Sequence, residues 1–170
     1  SRCTVFRFKP LPKEEVFKII VKVAKAEGLH IDAKAEQALF DVSGGDVRRL
    51  ENLLQACSVL EKKVTEDVVF SIAGYAKPKE VSQLLELAKK GDFLETRKKL
   101  LNVMLEYGLS GFDIIKQLQQ AIWQVEGVDD RTKLEMVKLC GEAEFRMVEG
   151  SDAYLQLEAM LAGFALAMRK

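Results

Sequence analysis

Tyr75-Ala76-Lys77-Pro78 divides this sequence into two helical parts. A proline suits the first turn of a helix, and the residue before it is driven away from helical backbone angles. On both sides of the segment, apolar residues recur at the spacing of amphipathic helices. The pattern predicts an all-α fold with two domains and a boundary at residues 75–78.

The part before this boundary, residues 10–75, is predicted to form a compact unit of four helices. Lys13-Glu14-Glu15 opens the first helix and Gly28 closes it. The second helix is predicted to run from Asp32 to Val42. The third begins after the turn Ser43-Gly44-Gly45, with Asp46 as its N-cap. The fourth is short, is capped at Thr65-Glu66-Asp67 and ends at Gly74.

The part after the boundary, residues 78–170, is predicted to form a bundle of five helices. We expect helices over about 79–90, 93–107, 110–125, 130–149 and 151–170, with Ser110 and Ser151 as the caps of the third and fifth. Tyr107, Phe112 and Trp123 fall at positions typical of the core, so we interpret them as packing residues.

The fifth of these helices is apolar on nearly every side, with Gln156 and Glu158 among its few polar residues. A helix of this kind must be buried on several sides. Two compatible interpretations follow: it is the central helix of the core, or part of its surface meets another subunit.

The first residues have the pattern of a strand, whereas the rest of the sequence has the pattern of helices. Ser1-Arg2-Cys3 is followed by Thr4-Val5-Phe6-Arg7-Phe8, an apolar run typical of a strand, and the chain offers almost no other strand to pair with it. We therefore expect the sequence to be the C-terminal part of something larger, with a remnant of a preceding domain at its start.

Composition excludes several classes of protein. The chain has 26 basic and 26 acidic residues among 170, so a general positive field for nucleic acid is not expected. Its cysteines, Cys3, Cys57 and Cys140, are odd in number and widely spaced, which favours a reduced compartment such as the cytoplasm. No apolar run approaches the roughly 20 residues of a membrane span.

Candidate chemistry is sparse. His30, the single histidine, falls in a predicted turn, and no catalytic triad, metal-binding motif or phosphate loop is found. Arg48 and Arg49 lie in the first turn of a predicted helix, where the helix dipole disfavours cations. They are either a solvated pair, or one of them reaches an anion such as a phosphate.

Several segments together resemble one family, the archaeal small subunit of replication factor C, a sliding-clamp loader of the AAA+ class. The resemblance covers the whole chain. The segments that carry it are Ser1-Arg2-Cys3 with Val5-Phe6-Arg7-Phe8 and Pro10-Leu11, Gly45-Asp46-Val47-Arg48-Arg49 with Asn52-Leu53-Leu54-Gln55, Glu106-Tyr107-Gly108-Leu109-Ser110-Gly111 with Asp113-Ile114-Ile115, Phe145-Arg146, Glu149-Gly150 and Gln156-Leu157-Glu158-Ala159.

The resemblance implies that residues 1–9 are the last strand of an AAA+ core, residues 10–75 a helical lid and residues 78–170 a helical collar that joins subunits. It implies a parent complex that uses ATP with Mg to load a sliding clamp onto primer-template DNA, with other small subunits, a large subunit, the clamp and DNA as partners. We expect this chain mainly to mediate assembly, without membrane contact.

The resemblance also supplies two site residues. Arg2 matches the family's arginine finger, which acts in trans on ATP bound to the neighbouring subunit, and Arg48 matches the sensor-2 arginine, which contacts ATP of its own subunit. Leu50 and Glu51 depart from the residues that the family commonly has there. A P-loop and an acidic metal motif are missing from the sequence, so neither enzymatic activity nor bound nucleotide is expected of the chain alone.

Two other interpretations of the sequence stay open at this point. The first is a stand-alone helical adaptor or nucleic-acid-binding module. The second is the lid region of another AAA+ remodeller, which only the sequence upstream of this chain would distinguish.

Overall fold

The computed structural model of the chain describes residues 9–169, which form two compact units divided between Ala73 and Gly74. The predicted strand and Arg2 therefore lie outside the described residues. The all-α prediction is confirmed, because the described residues are mostly helical. No helix among the described residues has the length and apolarity needed to cross a membrane.

The first unit contains the four predicted helices and two short strands. Its elements are α1 (Lys13–Glu27), β1 (His30–Ile31), α2 (Ala33–Ser43), α3 (Val47–Leu60), β2 (Lys63–Val64) and α4 (Glu66–Ala73). Helix α1 packs on α2 through an edge-to-face contact between Phe17 and Phe40, whose ring centres are 6.4 Å apart. Val16, Ile20 and Leu39 are fully buried beside it.

The two strands were not predicted. β1 and β2 pair in parallel, with His30 opposite Lys63 and Ile31 opposite Val64. The prediction that His30 lies in a plain turn is wrong, because its N–H donates to the carbonyl of Lys62 across 2.8 Å and forms part of the ladder. Its side chain is exposed.

The second unit is the predicted bundle of five helices: α5 (Pro78–Lys90), α6 (Phe93–Tyr107), α7 (Gly111–Ile122), α8 (Asp130–Val148) and α9 (Ala153–Met168). Helix α9 packs against α5, α8, α6 and α7. Its buried residues are Leu157, Met160, Leu161, Phe164, Ala165 and Ala167. The interpretation of α9 as the central core helix is therefore confirmed.

The predicted end of α7 and the predicted start of α9 are wrong. Helix α7 stops at Ile122, three residues before the predicted Val125, because the next N–H groups bond only three residues back. At α9 the N-cap is Asp152, which accepts from the N–H of Leu155 at 2.8 Å. Ser151 belongs to the end of α8, where its N–H donates to the carbonyl of Arg146 at 3.0 Å.

Of the three aromatic residues predicted to pack in the core, one is buried and two are exposed. Tyr107 is buried as predicted. Phe112 and Trp123, predicted to pack in the core, are instead exposed, with 49% of Trp123 accessible to solvent. The prediction failed at these two because both residues lie on helix faces or ends that no neighbouring helix covers within the described part of the unit.

Candidate functional site

The candidate anion site of the first unit lies at the start of α3. Asp46 caps this helix as predicted, accepting from the N–H of Arg49 at 3.1 Å. Arg48 and Arg49 follow in the first turn, and both side chains are exposed. Within residues 9–169, neither guanidinium is in an ion pair.

The structure distinguishes the two arginines. Arg48 lines a surface pocket of about 430 Å³, whereas Arg49 is absent from its lining. The other walls are the chain before α1 and the turn before α3: Lys9, Pro10, Leu11, Gly45, Asp46 and Val47. The charged residues of this lining are Lys9, Asp46 and Arg48, and its two cations suit an anionic group held near Arg48.

A short backbone contact closes one side of this pocket. The residues 10–12, which we call the strap, run along the turn before α3, and the N–H of Leu11 donates to the carbonyl of Gly45 at 2.9 Å. Gly45 is buried and has a φ of 81°. A Cβ placed on it would lie 2.5 Å from the carbonyl oxygen of Leu11. The glycine thus lets the strap approach the turn closely.

The remaining candidate residues are dispersed. Arg2 lies outside the described residues, and His30 is on β1, away from the lining of the pocket. Cys57 and Cys140 are buried core residues, as predicted. No group of three or more potential metal ligands occurs in the described part of the chain.

The second unit carries apolar residues on its outside, on α9, where the sequence indicated an apolar surface, and on α6 and α8, where the sequence reasoning did not single them out. Leu155 and Leu166 of α9 are 59% and 66% exposed, and because they are eleven residues apart they share one side of the helix. The same arrangement recurs on α8 and α6. Together these eight residues form what we call the outer stripes: Leu94, Leu101, Leu105, Leu134, Phe145, Val148, Leu155 and Leu166.

Polar contacts hold two of the striped helices together. The guanidinium of Arg97 on α6 pairs with the carboxylate of Glu158 on α9, and this partner raises the pKa of Arg97. The hydroxyl of Tyr154 donates to the carbonyl of Arg97 at 3.3 Å. Lys99 of α6 pairs with Glu80 of α5 in the same way. These contacts fix α6 beside α5 and α9.

A signal for the outer stripes is present in the sequence. Leu94, Leu101 and Leu105 repeat at intervals of seven and four, which is one face of a helix. Thr96, Leu100 and Val103 of the same helix are buried and form a second face. Two apolar faces on one helix indicate a second neighbour, and α6 was predicted without this test.

Comparisons with known proteins agree with the resemblance noted from the sequence. The replication factor C C-terminal domain matches residues 76–163, which is most of the second unit. The replication factor C small subunits of Thermofilum pendens and Staphylothermus marinus are both 44% identical to the chain, over 172 and 171 aligned residues that include all of it. That of Pyrococcus horikoshii is 40% identical over 170 residues.

The chain spans about half the length of the first two relatives, 53% and 52%, and 20% of the third. The domain match falls on the helices that bear the outer stripes, and the aligned regions of the relatives also cover the first unit. The chain therefore belongs to the replication factor C family.

Proposed function

We propose that the chain supplies the lid and the collar of a clamp-loader small subunit, and that residues 78–170 join it to neighbouring subunits. The observation that carries this proposal is the set of outer stripes on the five-helix unit, and all of their residues except Leu166 fall within the family match to residues 76–163. Monomeric proteins rarely leave several large apolar residues aligned on their surface.

The size of the outer stripes fits an assembly surface. Covering one half-exposed leucine or phenylalanine contributes about 1 kcal/mol, since full burial is worth roughly 1.5–3 kcal/mol. The eight side chains would give about 8 kcal/mol, which is comparable with the roughly 4–15 kcal/mol that association costs. One contact would therefore be weak, and closure of a ring with several contacts would stabilise the assembly.

We propose that the parent complex uses ATP with Mg to place a sliding clamp on primer-template DNA, and that two arginines of this chain act on ATP. Arg48 would hold a phosphate of ATP bound to the same subunit. Its exposed guanidinium, without an ion pair in the described part of the chain, supports this role because a polyphosphate would be its counter-ion. Arg2 would stabilise charge on the phosphate of the neighbouring subunit's ATP.

Light scattering and analytical sedimentation of the chain at tens of micromolar test the assembly role. We expect the wild-type chain to self-associate and Phe145→Glu to be monomeric, since a charge at the centre of the α8 stripe would have to be buried unpaired. Phe145 is 66% exposed in the isolated chain, so the substitution should leave the fold intact.

Val59→Glu is the matched control. Val59 is 80% exposed but lies on α3 of the first unit, outside the outer stripes. This variant should associate like the wild type. A wild-type chain that is strictly monomeric at these concentrations, or a loss of association in both variants, would contradict assembly through residues 78–170.

A further inference from the structure

The strap has only one backbone hydrogen-bond donor. Pro10 and Pro12 lack a backbone N–H, so Leu11 supplies the single backbone donor of these three residues. That donor bonds to Gly45, two residues before α3 and three before Arg48. Pro12 in turn is the N-cap residue of α1. The chain that leads into the first unit is thus attached directly to the turn that carries Arg48.

We infer that Gly45 is a positioning residue that sets the place of Arg48 by holding the strap against the turn before α3. The inference rests on the proposed role of Arg48 toward nucleotide. The strap forms one wall of the pocket and Arg48 another, and Gly45 joins them. A change that separates the strap from Gly45 would change the distance between these walls, and so where Arg48 can hold a phosphate.

The neighbouring glycine provides a control for this inference. Gly44 and Gly45 have φ angles of 60° and 81°, so alanine at either position meets the same kind of backbone strain. They differ in their surroundings. A Cβ on Gly44 would have nothing within 4 Å, whereas on Gly45 it would also lie 3.0 Å from the Cβ of Pro10. Only Gly45→Ala must displace the strap.

Amide hydrogen exchange of the 170-residue chain tests the contact. In the wild type and in Gly44→Ala, we expect the Leu11 amide to be protected. In Gly45→Ala it should exchange about tenfold faster, the change expected for one ordinary hydrogen bond. If Gly45→Ala does not fold, Leu11→Pro takes its place in the nucleotide-binding measurement below, because it removes the donor to Gly45 but has no amide whose exchange could be followed. Equal protection of Leu11 in both glycine variants would overturn the contact.

Nucleotide binding by the complete small subunit tests the positioning role. A fluorescent ATP analogue with Mg should bind several-fold more weakly to Gly45→Ala than to Gly44→Ala. Because Gly45 acts through Arg48, Gly45→Ala should add no further loss in the Arg48→Ala background. A residue with a merely structural role would weaken binding equally in both backgrounds.

The outcomes separate this inference from the proposed function. If Arg48→Ala binds the analogue like the wild type, the proposed role of Arg48 is wrong, and the positioning role of Gly45 falls with it. If Arg48→Ala binds weakly while Gly45→Ala matches Gly44→Ala, the nucleotide role stands and only the inference about Gly45 is overturned. Additive losses in the double variant would also overturn it.

Discussion

Replacing Gln117 with leucine should destabilise the five-helix unit through a single lost acceptor. Gln117 lies on α7 and is only 4% exposed. Its side-chain oxygen accepts from the N–H of Ala76 at 3.0 Å, and Ala76 is completely buried. This hydrogen bond attaches the segment before α5 to the bundle. Leucine has a similar size but leaves the N–H of Ala76 without a partner.

The expected cost follows from that burial. A buried donor that loses its acceptor costs about 1–3 kcal/mol, from which the added apolar surface of leucine subtracts a part. We expect the free energy of unfolding to fall by about 1–2 kcal/mol. For a unit of roughly 100 residues, each kcal/mol lowers Tm by about 4–8 °C. Urea unfolding followed by far-UV circular dichroism measures the change, and exchange of the Ala76 amide localises it.

Gln120→Leu is the matched control for Gln117→Leu. Gln120 lies on the same helix, and its side-chain oxygen accepts from the Tyr75 hydroxyl at 3.2 Å, but the residue is exposed. Water can replace the hydrogen bond of Gln120, so the free energy of unfolding of Gln120→Leu should differ from that of the wild type by less than about 0.5 kcal/mol. If both variants unfold alike and the Ala76 amide stays protected in Gln117→Leu, the assignment of this hydrogen bond as a stabilising contact is refuted.

Two further predictions concern buried cysteines and helical glycines. Burial raises the pKa of Cys57 to about 11 and that of Cys140 to about 12, so the thiols of the unfolded chain lose their protons at lower pH than those of the folded chain. The free energy of unfolding should therefore fall as the pH rises above about 9. Cys57→Ala should reduce this fall in urea unfolding measured across pH, and an unchanged slope would contradict the prediction. Gly111→Ala should lower Tm, because the added Cβ would lie 2.7 Å from the sulfur of Met147. Gly141→Ala, whose Cβ would have nothing within 4 Å, should raise the free energy of unfolding by about 1 kcal/mol. A lower Tm for Gly141→Ala than for Gly111→Ala would contradict the close packing at Gly111.

Helix boundaries could be predicted where a single residue decides them. Helix α6 occupies Phe93–Tyr107 as predicted, because Gly108 follows the last apolar residue and ends the helix. The start of α9 could not be predicted in this way. Ser151 and Asp152 are both good caps, and the choice depends on the end of α8, whose geometry is a three-dimensional property.

The candidate anion site was predictable only in part. The sequence places Arg48 and Arg49 in one helical turn but does not say which of them faces the pocket. The structure separates them because the strap reaches that turn from a distant part of the chain. Strands β1 and β2 escaped prediction for a related reason, since two residues each give no periodicity and the pairing forms only when the helices between them have packed.

The apolar circumference of α9 shows why the proposed assembly surface is hard to distinguish from core in the sequence. A leucine gains the same free energy when a neighbouring helix removes it from water as when another subunit does. Both situations therefore favour the same residue type in the sequence. In the structure, Leu157 and Phe164 are fully buried within their own unit, while the described residues leave most of Leu155 and Leu166 exposed. Under the proposed function, a second copy of the chain would cover these residues with its own outer stripes.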